Sequence, residues 1–426
     1  MEPRERVLVL SARFPYPLTD GYRIRVFQIS KVLARRYRVD LLALEDGPRS
    51  DEVRRVYDHI TTFRLSRPRV LRNVVLALLG RDALQIRGYR DPRVSEWLTV
   101  HGGEFAFVWC SMLRMSEYAL GLAVRPRIID FHDAYSLQYE RGSRTKDLLW
   151  RAFYAIERRR VLDTETKALT QFDLAVITSA VDRDHILGEW RRTGGDKNAC
   201  ALEVIHNGVR EELLARAAEV AREEDDVIVM LGKMDYHPNE DGALFFARDV
   251  FPRLRSQFRS LRFMIVGLNP TRRVKSLARI PGVVVTGFLD DPYTLIQLAK
   301  VVVAPVRFGA GIQNKVLEGM ALGKAVVTTS VGAQGILGRD SVHYVIADGV
   351  ETMVARVSEL LGDRERRGVI GAAARDLVMR HYRWDIVGDK LLTLVKGLKS
   401  GTSERSSADS LVERVAADLT GSSDHR

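Results

Sequence analysis

Val301–Gly323 reads VVVAPVRFGAGIQNKVLEGMALG, and this stretch decides the fold. Its apolar opening, Val301–Pro305, has the length of a buried strand. A glycine-rich loop follows, and an amphipathic helix runs from near Asn314 until Gly323 caps it. Strand, loop and helix in that order form one unit of a parallel α/β sheet. The glycines let backbone amides approach a ligand closely. The helix N-terminus adds unpaired N–H groups and a positive dipole end. The loop is therefore an anion site suited to a diphosphate, formed by Gly309, Gly311, Ile312, Gln313, Asn314, Lys315 and Leu317. Glu318, one turn into the helix, can accept from both hydroxyls of a ribose. The dipole is expected to keep it ionised. The competing reading is a tight strand-to-helix turn with Glu318 as a surface acid.

The same rhythm extends both ways. Val7–Leu10, Val39–Leu44, Phe105–Cys110, Ile128–Phe131 and Leu174–Thr178 read as buried strands, with helical patterns at Arg23–Arg35 and Asp182–Arg192. It breaks at Ile205–Gly208, where Asn207-Gly208 signals a turn, and a charged helix-like stretch, Glu211–Asp226, follows. It restarts with Val227–Leu231, Arg262–Val266, Val283–Thr286, Val301–Pro305 and Ala325–Thr329, and two helices follow at Arg364–His381 and Trp384–Leu398. The expected fold class is α/β, with two Rossmann-like, doubly wound domains at 1–208 and 209–398 and a largely disordered polar tail at 399–426. Leu71–Leu79, apolar and Arg-flanked, reads as a helix packed on the first sheet, with membrane contact as the alternative.

Three further places carry candidate chemistry. Ser11–Gly21 follows the first strand, where open α/β sheets bind ligands, and Gly21 presents backbone to a phosphate or simply makes a turn. Asp130–Asp133 ends another strand of that domain; His132 faces the same crevice, and Asp133 reads as a helix cap. Gly232–Asn239 closes the first strand of the second domain, where Lys233 can neutralise a leaving diphosphate or sit exposed in a turn. Asp182-Arg183-Asp184 and Asp290-Asp291 read as acids at helix entries, with no metal assigned to them.

Composition bounds the partners. The 426 residues carry 66 Lys and Arg against 55 Asp and Glu, a net +11 that favours anionic partners. Two cysteines, Cys110 and Cys200, support neither a disulfide framework nor a zinc pattern. No stretch approaches the roughly 20 apolar residues of a membrane span. The expected location is the cytoplasm, with peripheral contact at the inner membrane face held open.

Leu231–Thr329 resembles the nucleotide-binding domain of the retaining glycosyltransferases of family 4, which have the GT-B fold; Arg307–Gly323 and Thr286–Asp291 are its most specific parts. Phe14–Arg25, Asp130–Asp133 and Val204–Val209 match more loosely. The overall cast is similar to sugar transferases of bacterial exopolysaccharide and exosortase systems. The resemblance implies that Glu318 is the second glutamate of an E-x7-E motif and holds the ribose, that Gly21 lies near the diphosphate, that His132 contacts the donor sugar, and that Lys233 replaces an arginine on the diphosphate. Ala310 stands where the first glutamate is expected, and uncharged Asn239 near a second basic position, for which Lys315 or Arg307 can compensate.

The expected activity is transfer of a sugar from a nucleotide diphosphate to an acceptor hydroxyl at the cleft between the domains, with retention. Lys233 and His132 are the catalytic candidates. No cofactor, metal or nucleic acid is expected; the acceptor is lipid-linked or a growing glycan. A sugar-nucleotide epimerase or phosphorylase, or a non-catalytic nucleotide-sugar-binding protein, are the alternatives.

Overall fold

The computed structural model describes residues 4–143, 148–195, 199–216 and 226–400. The part of the expected tail beyond Ser400 lies outside them, as do residues 217–225 of the charged stretch, whose start, Glu211–Arg216, is helical. The chain divides into two compact units. One holds the described residues up to His206 and from Gly388 onward; the other is Asn207–Val387. The first unit regains the chain inside the last helix, Trp384–Ser400.

The first unit is built on a seven-stranded sheet. Its strands are β1 (Arg6–Ser11), β2 (Arg38–Ala43), β3 (His59–Thr62), β4 (Phe107–Ser111), β5 (Arg127–Asp130), β6 (Leu174–Ile177) and β7 (Ala201–Val204), in the order β3-β2-β1-β4-β5-β6-β7. The second unit has β8 (Val227–Leu231), β9 (Arg262–Val266), β10 (Val283–Gly287), β11 (Val301–Ala304), β12 (Ala325–Thr328) and β13 (Val345–Ile346), in the order β10-β9-β8-β11-β12-β13. All these pairings are parallel. Each sheet reverses its strand order once, between β1 and β4 and between β8 and β11. Ligands of open α/β sheets bind beside such a reversal, outside the carboxyl ends of the strands.

The apolar runs are continuous because helices cover both faces of each sheet. In β11, Val301 and Val303 enter one core while Val302 and Ala304 enter another. In β8, Ile228 and Met230 divide from Val227 and Val229 in the same way. The sequence reading missed β3, β7 and β13, which are short edge strands without a continuous buried run.

Helix entries follow local chemistry. Asp20 accepts from the Arg23 amide at 3.1 Å and starts the helix Gly21–Leu33. Ser179 caps Ala180–Arg192, and buried Asp182 accepts from the Ala134 amide at 3.2 Å, so this helix-entry acid is structural. Asp291 accepts from the Tyr293 amide at 3.1 Å, as a helix-entry acid does.

The helix Arg67–Leu79 corrects the favoured reading of Leu71–Leu79. Its buried residues are Asn73 and Ala77, four apart on the inward face. Leu71, Val75, Leu78 and Leu79 form the opposite face, with Leu71 66% and Leu79 82% exposed. The inward face carries small or polar groups, so the large apolar side chains point outward.

Candidate active site

In the second unit the loop after β11 stands at the strand-order reversal, across from the loop after β8. Gly309 (φ 147°) and Gly311 (φ 71°) adopt backbone conformations that side chains disfavour, and this turns the loop into the helix Asn314–Ala321. Ala310, Ile312, Lys315 and Leu317 are buried along it. Gln313 and Asn314, partly exposed, stand at the helix start, where Asn314 accepts from the Asn207 amide group at 3.1 Å.

Lys315 reaches the first turn of the neighbouring helix, His237–Phe245. Its Nζ donates to Asn239 Oδ1 at 2.6 Å and to Gln313 Oε1 at 3.1 Å. Asn239 in turn donates from Nδ2 to the Lys233 carbonyl at 2.9 Å. The uncharged Asn239 thus ties the turn after β8 to the helix Asn314–Ala321 and holds the ammonium beside itself. Burial lowers the Lys315 pKa to about 8. Arg307, the other compensating candidate, instead chelates Asp241 at 2.8 and 2.5 Å and lies over the Phe245 ring. Lys233 is half-exposed, and its Nζ lies 3.3 Å from Asp235 Oδ1.

Glu318 lies past the first turn of its helix, and the expectation of a plainly ionised carboxylate is corrected here. Burial pushes its pKa up to about 7, outweighing the opposing pull of Arg210, Tyr293 and Lys315. Tyr293 Oη donates to Glu318 Oε1 at 3.3 Å, and Arg210 donates to the same Tyr293 oxygen and lies over its ring. Arg210 and Tyr293 were not found from sequence; neither sits in a motif, and they meet Glu318 only through packing.

In the first unit, Gly21 is the first residue of the helix Gly21–Leu33. Tyr22 follows; its Oη lies 2.7 Å from Ser11 Oγ and accepts from the Ala12 amide at 2.9 Å, closing the loop onto the end of β1. Its ring stacks on His132, with centroids 5.2 Å apart. His132 is buried with φ 64°, a strained geometry for a residue with a side chain. Burial lowers its pKa to about 4, so the imidazole is neutral at physiological pH. Its Nε2 lies 3.5 Å from Asp130 Oδ2.

Asp130 belongs to an ion pair that sequence reasoning missed. The Arg25 Nε donates to both its oxygens, at 2.8 and 3.1 Å, and both side chains are buried. Arg25 also donates to the Ile205 carbonyl at 2.9 Å, tying the helix to the ends of β5 and β7. The position of Arg25, one turn after Gly21 on the same helix, was the available signal. Asp133 does not cap a helix: it accepts from Thr178 Oγ1 at 3.3 Å, and burial together with Asp182 raises its pKa to about 7.

Residues 225–363 match the family model described as Glycosyl transferases group 1. A GDP-mannose-dependent α-(1-6)-phosphatidylinositol monomannoside mannosyltransferase of Mycobacterium tuberculosis is 30% identical over 161 residues, which is 34% of this chain and 42% of that protein's length. Sucrose-phosphate synthase from Thermosynechococcus elongatus is similar in fold at TM-score 0.70 and 16% identity, covering 93% of this chain and all of its own. HepE from Anabaena, solved in complex with UDP and glucose, has TM-score 0.63 at 13% identity, covering 92% of this chain and 99% of its own. The chain has the two-unit GT-B fold of the glycosyltransferases, and its second unit carries the match to Glycosyl transferases group 1.

Proposed function

We propose that the protein is a retaining glycosyltransferase of family 4 that moves a hexosyl group from a nucleotide diphosphate onto an acceptor hydroxyl. The observation that carries this reading is the second-unit site: the glycine loop at the strand-order reversal, with Lys315 held on Asn239 and Glu318 half a helix away. Glycine-loop amides, the helix N-terminus and Lys315 suit a diphosphate; Glu318 suits a ribose diol. In the reaction, the acceptor oxygen forms a bond to the anomeric carbon while the bond from that carbon to the diphosphate oxygen breaks. Negative charge grows on the diphosphate, where Lys315 and Lys233 stabilise it. The neutral His132 imidazole is suited to a sugar hydroxyl. The acceptor's proton leaves with the diphosphate oxygen.

The acceptor belongs to polysaccharide or glycolipid synthesis, and the enzyme works in the cytoplasm at an anionic membrane surface. The outward face of the helix Arg67–Leu79 supports that last step, being apolar and set among exposed Arg64, Arg67, Arg72 and Arg81. No described helix is long and apolar enough to cross a membrane.

The test is nucleotide release from UDP-glucose and GDP-mannose, with and without a bacterial lipid extract. Release that requires the extract is expected. Release or epimerisation without any acceptor would support the epimerase or phosphorylase alternative; nucleotide binding without turnover would support a binding protein.

A further inference from the structure

The crevice at the ends of β1 and β4 holds a cation for which the chemistry above has no use. Arg114 lies in the turn Leu113–Met115, directly after β4, and Met112 before it has φ 68°. Its guanidinium carbon is 5.2 Å from the Tyr89 ring centroid and 5.9 Å from that of Tyr135. The phenols of Tyr22 and Tyr139 are also near enough to act on its charge. Its Nε is buried without a hydrogen-bond partner, and among the described residues no carboxylate pairs with it.

Arg25, a buried arginine of the same unit, shows the usual solution, a bidentate bond to Asp130. Arg114 has instead a cage of tyrosine rings. Their faces attract a cation but replace a counter-charge only in part. A guanidinium cannot shed its proton, so it stays charged where it is. Its place is beside the strand-order reversal, and it is close enough to His132 for its charge to help lower the imidazole pKa. The planar fork matches two oxygens of a phosphoryl or carboxylate group, and the flanking rings suit the organic body that carries one.

We propose that Arg114 is an anion-recognition residue, taking a phosphoryl or carboxylate group of the acceptor between the rings of Tyr89 and Tyr135. That the anion belongs to the acceptor rests on the glycosyltransferase reading; the anion site itself does not.

The experiment is calorimetric titration of the full chain, saturated with UDP to fill the second-unit site. The probes are phenyl phosphate and benzoate, with benzyl alcohol as the neutral control. Wild type binds at least one of the two anions and not the alcohol. Arg114→Met weakens that binding by about tenfold or more, as loss of a charged hydrogen bond does, and Arg114→Lys restores part of it. A thermal unfolding profile that matches wild type in the part lowered by Leu10→Ala shows that the first unit is folded in both variants. Preference between the anions separates a phosphoryl from a carboxylate partner. Equal anion binding by wild type and Arg114→Met, or none by wild type, overturns the proposal. If UDP binds neither protein, the nucleotide reading fails, and the same titrations without UDP still decide Arg114.

Discussion

Glu318 and Lys315 lie three residues apart on one short helix, and burial moves their pKa values toward each other, up to about 7 and down to about 8. Ribose hydroxyls favour the ionised carboxylate, and a diphosphate favours the protonated amine. Binding therefore strengthens as pH rises through about 7 and weakens as it passes about 8. We expect a bell-shaped affinity for UDP-glucose, whose diphosphate has no titrating terminal proton. Glu318→Gln should flatten the acid limb and leave the alkaline one. Glu318→Ala should weaken binding further, with each lost charged hydrogen bond costing about 1.5–3 kcal/mol. Calorimetry across pH, with ribose and 2′-deoxyribose nucleotides, measures both effects. If Glu318→Ala discriminates between the two sugars as well as wild type does, Glu318 does not hold the ribose.

At the scale of one element, the helix Arg67–Leu79 is built in two halves. Asn73 faces inward and donates to the Arg90 carbonyl at 2.8 Å, while Leu71, Val75, Leu78 and Leu79 face solvent. No acid occurs between Phe63 and Arg81, so the exposed arginines around the apolar stripe have no neighbouring negative charge on that segment. The long helix Leu148–Gln171 continues the surface: its Arg160 donates to the Gly80 carbonyl at 2.9 Å, and its Leu148 and Ile156 are also exposed. Sedimentation with phosphatidylglycerol vesicles should bring the protein down, and phosphatidylcholine vesicles should not. An arginine near such a surface contributes about 1 kcal/mol, so Arg67→Gln with Arg72→Gln should weaken partitioning by about thirtyfold. Leu78→Ser with Leu79→Ser should weaken it at high salt too, where charge is screened. Equal sedimentation of all variants would remove the membrane from the account.

For the whole molecule, each unit has its own buried core, with Leu10 in one and Phe263 in the other. Truncating a buried leucine or phenylalanine to alanine costs about 2–5 kcal/mol. Differential scanning calorimetry of Leu10→Ala and Phe263→Ala should move different parts of the unfolding profile. UDP should raise only the part that Phe263→Ala lowers, and Leu10→Ala should leave UDP affinity unchanged. A single transition displaced equally by both substitutions would mean that the units do not unfold separately.

The alternation of strands and helices was legible because residues buried on both sheet faces must be apolar at every position, as in Val301–Ala304. The glycine loop was legible because its positive φ angles admit few other residues. Edge strands such as β3 escaped, since half-buried backbone needs no continuous apolar run. Partners across the chain escaped for another reason. Periodicity says which face a residue occupies, not what it meets there. Arg25 finds Asp130 from 105 positions away, and Lys315 finds Asn239 from 76. The ionisation of Glu318 and His132, and the outward turn of Leu71–Leu79, were likewise set by tertiary structure. Each depends on how much water and which charges surround a side chain once the helices have packed.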